Sequence, residues 1–136
     1  MRISAKVDYA VRALAELAAA PADGCPVKGD RIAANQGVPV NFLENILGEL
    51  RRAGLVSSQR GADGGYRLAV DAATIAVADV IRAVEGPLAD VRGQPPETLA
   101  YPGPAQALQD VWIATRANLR AVLEVVTIAD IAAAAL

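Results

Sequence analysis

The sequence predicts a mainly α fold with one small β-hairpin: a winged helix-turn-helix followed by a long C-terminal dimerisation helix. Three observations carry this. Helical periodicities follow one another through residues 4–54. The stretch RRAGLVSSQRGADGGYRLAV (residues 51–70) then switches to two β-prone runs around a Gly-rich turn. Beyond a Gly- and Pro-rich interval, a helical apolar pattern returns from residue 105.

Each element can be justified in order. From Ser4 to about Ala20, Val7, Ala10, Leu14, Leu17 and Ala18 fall at helical spacing with charges on the other side. PADGCP (21–26) is a turn by composition, and Lys28 to about Gln36 is a short helix stopped by Gly37. Pro39 suits a first helical position, and Phe42, Leu43, Ile46, Leu47 and Leu50 form an apolar stripe running to Gly54. LVSSQ (55–59) and YRLAV (66–70) then bracket Gly61, Ala62, Asp63, Gly64 and Gly65, where Asp-Gly signals a hairpin because positive φ costs little there. Ile75 to Val84 adds a helix closed by Gly86 and Pro87. These elements make residues 1–86 the expected DNA-binding domain and 87–104 a loop or linker. Residues 105–136 are expected to hold the long helix, about Ala105 to Val126, and a short last helix opened by a Thr127/Asp130 capping box. On the long helix, Leu108, Trp112, Thr115, Leu119, Val122 and Val126 alternate spacings of four and three, one continuous seam. The seam either packs on the chain's own first domain or pairs with a second copy, and a helix set off by a linker favours the second.

Length and composition bound the function. With 136 residues and 54% hydrophobic content, the chain can bury a core. Thirteen basic and fifteen acidic residues leave a net charge of −2, no global sign of a polyanion partner. Residues 1–70, however, carry nine basic against seven acidic side chains, so an anion-binding surface is expected there. Asp8, Arg12 and Glu16 break the N-terminal Ala-rich run, which leaves no signal-peptide core, and no uncharged stretch is long enough to cross a membrane. A soluble, cytoplasmic protein is expected.

Enzymatic chemistry has little to build on. No His is available as a general base, and the carboxylates are scattered over helix surfaces. GADGG is followed by no Gly-Lys-Ser/Thr and opens no helix, so it is not a P-loop. Cys25, the single Cys, has no partner for a disulfide or a metal set and reads as a surface thiol. No enzyme, metal or cofactor is expected.

Nucleic-acid binding accounts for more. A recognition helix enters the major groove by its N-terminal end. On the third helix that end offers Asn41, Glu44 and Asn45; Asn can read adenine, and Glu can accept from cytosine N4. Arg51, Arg52 and Lys28 can meet phosphates, the alternative being a solvated charged face. Arg60 stands at the lip of a turn kept small by Gly61, Gly64 and Gly65, so its guanidinium can enter a narrow minor groove.

The order of these motifs resembles the Rrf-two (Rrf2) family of bacterial winged-helix transcription regulators, which includes the iron-sulfur cluster regulator and the nitric-oxide-sensitive repressor. MRISAKVDYAVRALAELA, VPVNFLENILGELRRAGLVSSQRGADGGYRL and TIAVADVIRAVEG follow the family pattern in sequence, nearly end to end. The resemblance implies that Asn41, Phe42 and Glu44 lie at the DNA, that Arg51 and Ser58 support it, that Arg60 with Gly61 forms the wing tip, and that a homodimer is joined through the long helix. It also exposes a departure. Sensor members hold an iron-sulfur cluster with three cysteines just before the long helix, whereas EGPLADVRGQPPETLAYPGPAQ (85–106) has none. The expectation is a cluster-free homodimeric repressor that binds an inverted-repeat operator in double-stranded DNA and answers to an unidentified small-molecule or protein effector. A winged-helix protein-interaction module, or a ligand-responsive binding protein with Tyr101 and Trp112 at its pocket, is the alternative.

Overall fold

The computed structural model describes residues 2–21 and 23–134. Met1, Ala22 within the expected 21–26 turn, and residues 135–136 at the end of the expected C-terminal segment lie outside the described residues. The first helix, α1 (Ala5–Ala19), starts where the Ser4 hydroxyl accepts from the Val7 N–H at 3.2 Å, satisfying one of the free amides of the first turn. It stops because Ala20 precedes Pro21 and takes an extended backbone, φ −65 and ψ 150. α2 (Gly29–Gln36) ends at Gly37, whose φ of 65 reverses the chain at no side-chain cost. α3 (Val40–Arg52) follows at once.

Two expectations for α3 are corrected. Pro39 is not the first helical residue; with ψ at 129 it is the extended residue just before it. Phe42 does not join the apolar stripe: Leu43, Ile46, Leu47 and Leu50 are fully buried, while Phe42 is 39% exposed. One residue rotates a helix by about 100°, which carries Phe42 past the edge of the stripe to the rim. There it meets Tyr9 edge-on, ring centroids 5.6 Å apart.

The hairpin pairs β1 (Val56–Gln59) with β2 (Gly65–Leu68) antiparallel, Val56 opposite Leu68 and Gln59 opposite Gly65. Its tip differs from an Asp-Gly turn. Positive φ falls at Gly61 and Gly65, while Gly64 is required by space, since a Cβ there would run into the Gln59 carbonyl. Gly65 packs as closely on the Val27 carbonyl, and Val27 and Tyr66 exchange backbone hydrogen bonds of 2.8 and 2.7 Å. The wing is thereby sewn to the segment that opens α2.

The C-terminal part folds back on this head. The expected helix start at Ile75 shifts to α4 (Val77–Val84), because Ile75 and Val77 are used elsewhere: the Ile75 carbonyl accepts from Ile128 at 2.9 Å, and the Val77 N–H donates to the Val126 carbonyl at 3.0 Å. Residues 87–105 contain 3₁₀ turns at Pro96–Thr98 and Gly103–Ala105, and Pro96 and Leu99 are buried, so the segment is anchored at those two residues while most of it stays exposed. α5 (Leu108–Leu123) is shorter than the expected 105–126, its start delayed by the 3₁₀ turn at Pro104. α6 (Ile128–Ala132) opens with the expected capping box, Thr127 and Asp130 each accepting from the other's amide. α6 packs on α1, and Ile128 is completely buried in one core with Leu14, Ile32, Leu43, Leu47 and Val80.

The α5 seam splits lengthwise. Leu108, Trp112, Leu119 and Val126 are half-buried in their own chain, while Thr115 and Val122 are exposed. On the open side, Val111 (51% exposed) and Val125 (69%) widen the apolar face beside Val122 (60%). The Thr115 hydroxyl donates to the Val111 carbonyl at 2.8 Å, which satisfies its polar group within the helix. No residue of α5 itself is fully buried.

Candidate nucleic-acid interface

The start of α2, the outer side of α3 and the wing face one another. Lys28, Asn41, Phe42, Glu44, Asn45, Arg51, Arg52, Ser58, Arg60 and Gly61 are all exposed. Six of them, Lys28, Glu44, Arg51, Ser58, Arg60 and Gly61, line a groove of about 380 Å³ between α3 and the wing. Phe42, Asn45 and Arg52, with Glu44 shared, line an adjoining hollow on the α1 side. Asn41 lines neither and sits at the free N-terminal end of α3.

Lys28, Arg51 and Arg60 outnumber the carboxylates of Asp30 and Glu44 around the groove, a balance that suits a polyanion. Arg51 Nη1 donates to the Ser58 hydroxyl at 3.3 Å, tying the last turn of α3 to the wing. Arg60 stands at the wing tip beside Gly61 (φ 103), and the Gly64 N–H closes the turn on the Gly61 carbonyl at 3.0 Å. Among the described residues Lys28, Arg51 and Arg60 enter no ion pair with a carboxylate, which leaves their charges for an outside anion.

Glu44 is placed less freely than a base-reading carboxylate alone requires. Its Oε2 accepts from the Tyr66 hydroxyl at 2.6 Å, and its other oxygen lies so close to Gly29 that a Cβ there would collide with it. Partial burial, then the hydrogen bond and negative charge of Glu44, push the Tyr66 phenol up to about 12 against the opposing pull of Arg51. Tyr66 therefore remains a donor across the physiological range and clamps the wing to α3.

Two residues of this surface were not singled out from the sequence. Tyr66 was read only as a β-prone residue, and its register opposite Ser58, which aims it at α3, is a property of the paired hairpin. Lys6 lines the hollow with Phe42, Asn45 and Arg52 and forms an ion pair with Glu49 at 2.8 Å. Its place on the charged side of α1 was the only available signal.

Comparison with known proteins agrees with this architecture. The Rrf2 family model, described as an iron-dependent transcriptional regulator, matches residues 3–134. A Mycobacterium tuberculosis protein named as an HTH-type transcriptional regulator is 53% identical over 136 residues, all of this chain and 84% of the relative. The solved structure of CymR, the global cysteine regulator of B. subtilis, superposes with a TM-score of 0.82 at 34% identity, covering 100% of this chain and 99% of that one. IscR of T. potens gives 0.79 at 34% identity, covering 100% and 89%.

The family description names iron, and the donors present do not fit an iron-sulfur cluster. The chain has no His and one Cys, and Cys25 lies exposed in the turn before α2, away from residues 87–104. Among the described residues no three His, Cys, Asp or Glu side chains gather to hold a metal ion. A cluster held by thiolates needs more sulfur than one residue supplies.

Proposed function

This chain belongs to the Rrf2 family of transcriptional regulators, and from that premise we propose a homodimeric, cluster-free repressor whose α3 reads the major groove while Arg60 enters the minor groove. The observation that carries the reading is the groove between α3 and the wing, where Lys28, Arg51 and Arg60 surround polar side chains suited to base edges. Arg52 extends the phosphate-facing side, and Asn41, Phe42, Glu44 and Asn45 present the base-facing one. Phe42, open to solvent at the α3 rim, suits a thymine methyl.

The open apolar side of α5 supports pairing with a second copy. Val111, Val122 and Val125 form a stripe that a two-fold partner covers with its own. Two heads related this way meet successive major grooves about 34 Å apart, so the operator is an inverted repeat. Repression is the simplest output, since a dimer seated across its operator excludes other proteins from it.

The test is to incubate the purified protein with sheared genomic DNA at near-physiological salt, sequence what it retains, and repeat with Arg60→Ala. A shared inverted repeat, lost or degraded in the variant and most affected where its minor groove is narrow and A·T-rich, is the expected result. Equal loss on every sequence removes Arg60 from minor-groove readout. The exposed Val40 and Phe42 on α3 favour one second reading, a protein partner on the same face. Salt separates the two, because phosphate contacts weaken steeply with ionic strength and apolar contacts do not.

A further inference from the structure

Residues 71–136 are acidic overall, with four basic side chains, Arg82, Arg92, Arg116 and Arg120, against eight carboxylates. Three of those four, with the carboxylates of Asp90 and Glu97, line one cavity of about 250 Å³ between α4, the 87–97 segment and α5. In an acidic half, arginines scattered for solubility would not converge on one hollow.

Their pairing within it is unequal. Arg82, on α4, is held by Asp79 at 3.6 Å and by Glu124. Arg116, on α5, is held by Glu97 at 2.6 Å. Arg120 lies one turn further along the same face of α5, and its Nε is 3.8 Å from the Glu124 oxygen that Arg82 already occupies. Among the described residues Arg120 has no closer carboxylate, which leaves its terminal nitrogens without an ion-pair partner. Pro87, Leu88 and Pro95 supply the apolar part of its wall.

The segment forming that wall is bent back tightly. Val91 and Gln94 exchange backbone hydrogen bonds of 2.9 and 3.0 Å, and Arg92 adopts a left-handed backbone with φ 52, which a non-Gly residue takes up only at a cost. The Glu97 it delivers is 52% exposed and enters the cavity from one side. Its own backbone N–H and then Arg116 hold that carboxyl below the usual carboxylate range, so it is ionised. Glu97 acts as an internal carboxylate seated on the arginines, and Gln109 holds its turn by donating to the Pro96 and Glu97 carbonyls.

We propose that this cavity binds a small organic carboxylate, gripped by Arg120 and Arg116 in place of Glu97, with its carbon chain on Pro87, Leu88 and Pro95. The volume lies just below the ~300–1,000 Å³ typical of drug-sized pockets, which fits a ligand of metabolite size. Guanidinium groups bind phosphate as readily as carboxylate; the apolar wall and the internal carboxylate favour the second. The cavity joins α4, which belongs to the DNA-reading head, to α5, which carries the open apolar face. Displacing Glu97 loosens the 96–98 turn from α5, and drawing Arg120 off Glu124 alters the Arg82 link to α4. The regulatory consequence rests on the proposed DNA-binding function, whereas ligand binding does not.

The test is therefore calorimetry on the DNA-free, full chain with acetate, butyrate, succinate and glutarate, and with inorganic phosphate as comparator. A four- or five-carbon carboxylate is expected to bind with a dissociation constant of about 1 mM or tighter. Arg120→Gln should weaken it at least about tenfold, as expected for a lost charge-assisted bond. Glu97→Gln should tighten it, because the competing carboxylate is gone; a merely structural ion pair would not produce gain on one side and loss on the other. Absence of binding in that range, equal binding of phosphate, or weakening by Glu97→Gln overturns the proposal. Both substituted side chains are about half exposed, so circular dichroism is expected to match the wild type. A DNA titration with and without the bound carboxylate then reads the coupling: if DNA never binds, the DNA-binding reading fails while the calorimetric result stands.

Discussion

Val122→Asp isolates the open apolar side of α5, the proposed pairing surface. Val122 keeps 60% of its surface open, so it contributes little to the fold of its own chain. Covering the remainder with a partner helix stabilises by roughly 1 kcal/mol per side chain, taking full burial of a Val as about 1.5 kcal/mol. Because a two-fold interface contains the residue twice, the variant loses about 2 kcal/mol of apolar contact and also places two carboxylates where they lose solvation. Each such burial adds at least about 1 kcal/mol, so the whole approaches 4 kcal/mol, near a thousandfold in the dimer dissociation constant. Sedimentation velocity over a concentration series reads this directly, with far-ultraviolet circular dichroism confirming an intact monomer. Leu119→Asp should also favour monomers, but Leu119 is half-buried in its own chain and its variant should lose fold stability as well. A Val122→Asp protein that dimerises with the wild-type constant, or a wild type that never dimerises, refutes the assignment of this face.

Three further predictions concern the DNA-facing side and iron. In an ultraviolet absorbance titration one phenol should ionise at about 12 and that phase should vanish in Tyr66→Phe. Since the folded value lies above the unfolded value of about 10, the stability linked to Tyr66 is complete below pH 10 and lost as pH climbs through 12; a phase that survives the substitution breaks the assignment. Glu44→Ala should relax base preference more than it lowers total affinity, measured by selection from randomised duplexes, and an unchanged preference removes Glu44 from readout. Protein purified without air should carry neither iron nor acid-labile sulfide in stoichiometric amount, and finding both would reverse the conclusion drawn from its donors.

Sequence pattern was informative wherever one local interaction decides the outcome. Gly37 after α2 and Thr127 with Asp130 before α6 act within a few residues, so their types predict their geometry. The arrangement of α2, α3 and hairpin was legible for the same reason, as was the exposure of the polar and charged candidates on α3 and at the wing tip, which lie off the buried stripe or in the turn. Phe42 shows the limit: periodicity places it at the margin of a stripe, and only the position of Tyr9 on another helix decides that it stays at the rim.

The larger differences arise where distant segments meet. Ile75 looked helical but is drawn out straight by backbone bonds to residues 126–128, a pairing between positions about fifty residues apart that no local propensity encodes. The 87–104 segment reads as a linker by its Gly and Pro content, yet those residues also permit the tight turns that bury Pro96 and Leu99 and deliver Glu97 to Arg116. The same long-range closure divides α5 into a side facing its own chain and a side facing out. Because Ile128 of α6 sits in the core of the N-terminal domain, α5 is tied to that domain at its C-terminal end, by Glu124 to Arg82 and by Ile128 just beyond, while Gln109 near its N-terminal end holds the 96–98 turn. α6 packs on α1 and α1 on α3, so the end of α5 is joined through α6 to the helix that lines the groove beside the wing.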